Sequence, residues 1–210
     1  MRLILYFLLL FSQAIVAQSQ ASAVSGVEIN PAIKLEVEKH IQSAPESQMA
    51  IEKMQIFSTP LICSLYKDDK LEFENSDFSK KMVFKSFITF DGNKTSISGI
   101  FGIFGGEGFV INIENNKAVL SHLISADDFA TLAYTSTSEF LLRLEVPCTD
   151  TKIVLSAVPK KGSDELIYGY VEFTGTDFYF GFSEDGIEAT PRQKQRSNFK
   201  IYFKSGEINL

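Results

Sequence analysis

The sequence predicts a mainly β fold, an antiparallel meander curled into a barrel or a two-layer sandwich, with a short N-terminal helical segment. Two observations carry that expectation. From Leu61 onward, bulky apolar residues recur at every second position: Phe140, Leu142, Leu144 and Val146 alternate with Arg143 and Glu145, and Phe199, Ile201 and Phe203 with Lys200, Tyr202 and Lys204. Turn chemistry separates these runs at short intervals, at Asp68-Asp69, Asp91-Gly92, Gly105-Gly106-Glu107-Gly108, Asn115-Asn116, Thr149-Asp150, Lys161-Gly162, Gly175-Thr176 and Asp185-Gly186. Connections so short join antiparallel neighbours, because a parallel crossover needs about a dozen residues or more. A meander of about ten strands with one apolar face must curl to bury it.

The 210 residues are enough for one core, and a composition 45% hydrophobic and 22% charged is that of a globular chain. Residues 1–17 read as a cleaved export signal. Arg2 supplies a positive start, Leu3 to Phe11 is an unbroken apolar run, and small residues follow at Ala14, Ala17 and Ala21. Ser12 and Gln13 interrupt the run well before the roughly 20 apolar residues of a membrane-spanning helix. The expected address is therefore secreted or periplasmic. Residues 18–29 read as a flexible leader, and 30–210 as a single β-rich domain, helical over 30–57 and stranded over 61–205.

Within the helical segment, Asn30 caps a first helix with Pro31 just inside it, and Ile33, Val37 and Ile41 form its apolar stripe. Leu35 lies off the stripe, and the alternation of Ile33, Leu35 and Val37 keeps a strand open as the alternative. Ser43 and Glu46 have capping-box spacing for a second helix, with Ala50, Ile51, Met54 and Phe57 on its apolar face and Ser58-Thr59-Pro60 as its end. The run Ile97 to Phe104 carries apolar residues on both faces and needs cover on both, which the N-terminal helices are expected to supply. Asp127 or Asp128 is positioned to start one helical turn. Arg192 to Arg196 reads as a solvated basic loop.

Loss of the leader removes Arg2 and no acid, taking the formal charge from −6 to −7. A net negative surface disfavours nucleic acid and anionic membranes as partners, since both are engaged through Lys/Arg clusters. Cys63 and Cys148 are candidates for one disulfide, worth about 4.5 kcal/mol in the chain-entropy model; two free buried thiols are the alternative. Asn93-Lys94-Thr95 matches the glycosylation acceptor, which matters in a eukaryotic source.

No catalytic constellation is legible. His40 and His122 are the only histidines, and His122 has Ser121, Ser125, Asp127 and Asp128 near it in sequence without the orientation that a triad requires. The acidic pairs Asp68-Asp69, Asp127-Asp128 and Glu184-Asp185 fall in expected turns or helix starts, and no calcium or zinc spacing occurs. The glycines at 99, 102, 105, 106 and 108 read as hairpin glycines, with no phosphate-binding motif after them. Among 19 Phe and 7 Tyr, the phenylalanines read as core, while Tyr168, Tyr170, Tyr179 and Tyr202 are candidates for an outward stacking platform. No cofactor is implied. The expectation is a non-enzymatic exported β-protein that binds an apolar small ligand or a macromolecular partner. The alternatives are a small outer-membrane barrel and a secreted hydrolase using carboxylates.

Overall fold

The computed structural model describes residues 24–43, 55–75, 81–102, 105–126, 131–184, 187–188 and 191–208. The expected export signal, the helical turn expected at Asp127 or Asp128, the turn expected at Asp185-Gly186 and most of the second expected helix lie outside these residues. Among the described residues the chain is mostly strand, with one short helix and a closed barrel of eight antiparallel strands. The barrel follows the order β3 (Gln55–Lys67), β5 (Lys81–Asp91), β6 (Lys94–Phe101), β7 (Gly106–Glu114), β8 (Lys117–Ser125), β10 (Arg143–Leu155), β11 (Ile167–Gly175) and β15 (Gln193–Ser205). Pairing of β15 back onto β3, from Gln195 opposite Lys67 to Ile201 opposite Leu61, closes the ring. Outside it, β2 (Gln42–Ser43) pairs with the start of β3, and β13 (Ser183–Glu184) pairs with β14 (Ile187–Glu188).

Local chemistry sets the hairpins. Asp68 and Asp69 adopt φ of 45° and 64° between β3 and its partner β4 (Lys70–Asn75). Asn115 and Asn116 adopt 50° and 59° between β7 and β8. Two successive positive φ values are the twist-matched hairpin geometry that Asn and Asp tolerate best. The β5–β6 turn is Gly92-Asn93, and Asn93 stands exposed at its tip.

Four expectations are corrected. Gln55–Phe57, placed at the end of a helix, opens β3, and Ser58-Thr59-Pro60 lies inside that strand. Pro60 stands where β3 changes partner, pairing with Lys81 of β5 while Leu61 pairs with Ile201 of β15, so the missing N–H falls at a break in the ladder. Thr149-Asp150 is a bulge, with Asp150 at φ 49°, where β10 leaves β8 for β11. The basic run from Arg192 to Arg196 begins β15; Arg192 binds Glu188 and lies over Phe140, Lys194 binds Asp69, and Arg196 lies over Tyr66. The flexible leader is pinned in its second half, where β1 (Glu28–Ile29) pairs with β10 in parallel and Val24 is buried against the barrel core.

The helix, α1 (Ile33–His40), keeps its expected stripe: Ile33 and Val37 are buried, Ile41 packs beside them and Leu35 is exposed. Asn30 Oδ1 accepts the Ala32 N–H at 3.0 Å, so the capping residue acts just ahead of the first turn. The helix does not cover the doubly apolar strand. It lies on β10, β11 and β15, against Val154, Tyr168, Tyr170 and Tyr202. Tyr202 donates its hydroxyl to Glu36 at 2.8 Å and stacks on His40 at 4.5 Å, while Lys34 sits over Tyr168. Three of the four candidate platform tyrosines are thus the floor under a helix, and Tyr179 lies apart on β12 (Phe178–Phe180).

The barrel interior is filled, except near one end. Phe84, Phe109 and Phe203 are fully buried, with ring centroids 5.9 Å apart for the first pair and 4.9 Å for the second. They occupy the space left by two glycines: a Cβ on Gly99 would lie 2.2 Å from Phe84 Cζ, and one on Gly169 would lie 2.3 Å from Phe203 Cζ. Alternating small and large residues is how a narrow barrel fills its bore. Ser86 donates to the Ser98 carbonyl at 3.0 Å and pairs with Ser205, which satisfies the buried hydroxyls among these rings.

Candidate functional site

At the end of the barrel where β7 begins, the inward positions turn polar. Glu107 occupies the same parity as Phe109, Ile111 and Ile113, so the pleat sends it inward. On β8 the inward residues are Ala118, Leu120, His122 and Ile124. The register sets Phe109 opposite His122 and Glu107 opposite Ile124, making Glu107 and His122 diagonal neighbours across one strand pair. His122 Nε2 and Glu107 Oε2 are 3.0 Å apart. The imidazole is fully buried, boxed by Phe173, Phe178 and Phe199 at centroid distances of 5.5–5.8 Å, and the Glu107 side chain keeps 28% of its exposure. His122 Nδ1 has no hydrogen-bond partner among the described residues.

Burial pushes the Glu107 carboxyl up. The hydrogen bond from His122 and its electrostatic attraction, joined by the Ser197 hydroxyl, outweigh that cost and hold the carboxyl below its usual range. Glu107 is therefore a carboxylate at neutral pH.

Glu107 separates two cavities. The larger, of about 380 Å3, opens where β3 departs from β5, and its walls are Leu61, Leu65, Phe73, Met82, Phe101 and Phe199, with Glu107, Ser197 and Cys63 among the polar groups. The smaller, of about 200 Å3, lies on the other side of the carboxylate, under Leu132, Phe178 and Phe180 of the short strands β9 (Leu132–Ala133) and β12. Among the described residues lining the two cavities, Glu107 is the one that carries a charge.

The two cysteines are free thiols in the structure. Both pack against the barrel core, on β3 and β10 with two strands between them: Cys63 is opposite Phe199 on β15, and Cys148 is opposite Gly175 on β11. Burial, with the Glu107 charge added, pushes the Cys63 thiol up to about 11. Burial also pushes Cys148 up to about 12, against the opposing backbone N–H of His122. Neither is a thiolate at neutral pH, so neither is an activated nucleophile. No group of three or more potential metal ligands occurs among the described residues.

The residue that the sequence reading missed is Glu107, hidden in a run of glycines assigned to a hairpin. Gly106 begins β7, and a Cβ there would meet the Phe101 carbonyl oxygen at 1.6 Å; Gly108 faces the Gly99 carbonyl oxygen in the same way at 1.9 Å. These glycines let β6 and β7 close tightly around the carboxylate between them. The signal was parity, an acid in step with Phe109 and Ile111. His122 meets neither Ser121 nor Ser125 in its described hydrogen bonding, its partner being Glu107.

No family model matches the chain, and neither a curated protein nor a solved structure does.

Proposed function

We propose that this is an exported, non-enzymatic binding protein that takes an apolar small molecule into the cavity between β3, β4 and β7. The observation that carries the reading is the cavity itself. Its 380 Å3 falls within the range of about 300–1,000 Å3 typical of small-molecule sites, and its walls are aliphatic and aromatic around a few polar groups. Phe73 and Met82, 51% and 44% exposed, form an apolar rim at the opening. The interior beyond Phe84 and Phe203 is packed, so a ligand would enter this end and not run the length of the barrel.

The protonated thiols of Cys63 and Cys148, and the engagement of His122 Nε2 by Glu107, favour binding over covalent catalysis. Charges along the outer wall, such as the Lys200–Glu172 pair at 2.7 Å between β15 and β11, weigh against a lipid-facing exterior. The exported address rests on Arg2, the apolar run and Ala17. Nile red, a neutral dye whose emission shifts in apolar surroundings, tests the reading. Saturable one-site binding is expected, weakened at least about tenfold by Leu65→Trp, since the new ring removes most of the apolar burial available to a ligand. A linear, unsaturable signal, or equal binding by the variant, would refute it.

A further inference from the structure

We infer that the ligand of this cavity is a cationic amphiphile, an amine whose apolar body lies against Leu61, Leu65, Phe101 and Phe199 and whose ammonium group rests on Glu107. The inference rests on the cavity reading above and adds the chemistry of the head group.

An apolar cavity alone favours any greasy molecule, and a fatty acid is the ordinary case. Here the charge on the wall is negative. Glu107 faces both cavities, and no Lys or Arg lines either among the described residues. His122 engages one carboxylate oxygen through Nε2, 3.0 Å away, from a fully buried position behind the wall, and so leaves the cavity-facing side of the carboxylate open. Cys63 and Ser197, the nearby polar groups on the wall, are neutral. A carboxylate has about four lone-pair sites, and His122 and Ser197 take two of them. The remainder face a low-dielectric space in which an ammonium donor gains most and a second carboxylate is repelled.

The bond to His122 does not by itself call for a charge here. His122 could have been satisfied by a neutral acceptor, and the same inward parity elsewhere on β7 holds Phe109, Ile111 and Ile113. A charge retained at the floor of an apolar cavity is useful to a ligand that carries the opposite one.

Three eight-carbon probes separate the possibilities: octylamine, octanol and octanoate, titrated near neutral pH against the full chain by displacement of Nile red. Octylamine is expected to bind at least about tenfold more tightly than octanol, and octanoate more weakly than both. Glu107→Gln is expected to abolish the preference for the amine over octanol. Raised salt serves as a second measurement that needs no variant, and it should weaken octylamine and leave octanol alone. Equal affinity for amine and alcohol, or tighter binding of octanoate, overturns this inference and leaves the cavity reading standing. Failure of all three to displace the dye overturns both.

Discussion

Substituting Gly169 by alanine probes how the barrel is filled. In an ordinary strand interior alanine is favoured over glycine by about 0.5–1 kcal/mol. Here the added methyl would lie 2.3 Å from Phe203 Cζ, 2.6 Å from its Cε1 and 3.0 Å from Leu155 Cδ2. Carbon atoms in contact sit about 3.5–4.0 Å apart, so the Phe203 ring must retreat by more than about 1 Å. It has no free direction: Phe203 is fully buried, and its ring meets that of Phe109 at 4.9 Å. Overpacking of this kind costs about 1–3 kcal/mol, which exceeds the propensity gain and leaves a net loss of about 1–2 kcal/mol. For a chain of this size that lowers Tm by about 2–8 °C. Urea and thermal unfolding of Gly169→Ala, Phe203→Leu and the double variant measure it. The double variant is expected to lose less than the two single losses combined, because the smaller side chain makes room for the methyl. A neutral or stabilised Gly169→Ala, or strict additivity, would show that the ring does not occupy the space above the glycine.

Two further predictions concern the polar end. The carboxyl of Glu107 is depressed below the 4.5 of a free glutamate, so its contribution to stability is complete above that value and is lost as pH falls through the lower, folded-state one. Urea midpoints followed into acid should therefore fall less steeply for Glu107→Gln than for the parent, and parallel curves would count against the His122–Glu107 pairing. Cys63 and Cys148, raised to about 11 and 12, should resist iodoacetamide in the native protein at neutral pH and take up two carbamidomethyl groups once unfolded without reductant. An intact mass of the non-reduced, unfolded protein showing no alkylation would mean that a disulfide forms after all.

Period-two patterning made a curled antiparallel meander legible, because each barrel strand turns one face to the bore, but it left barrel and two-layer sandwich undivided, since closure depends on β15 meeting β3. The hairpins were legible where the turn depends on its own residues, as at Asp68-Asp69 and Asn115-Asn116. The same vocabulary misled where tertiary pairing overrode it. Thr149-Asp150 resembles a hairpin turn, yet it bends a single strand from β8 toward β11. The helical signals running to Phe57 are local, and Phe57 instead pairs with Phe84 across β3 and β5. The outward tyrosines of β11 and β15 were visible as a stripe, but nothing in sequence said that α1 would lie on them. Glu107 was unreadable for a different reason. Its meaning depends on standing diagonal to His122, a relation created by the register of β7 and β8 and not by either segment alone.

The seam between β3 and β15 also constrains how the molecule is made. Leu61 and Ile201 must meet before the ring exists, so almost the entire polypeptide has to emerge first. Until then the growing sheet is an open ribbon with two bare edges, each a template for pairing with another chain. Contacts this distant in sequence form slowly, which lengthens the exposure. A chain of this design gains from being held extended until its last strand is released, as happens to a polypeptide threaded through a narrow channel.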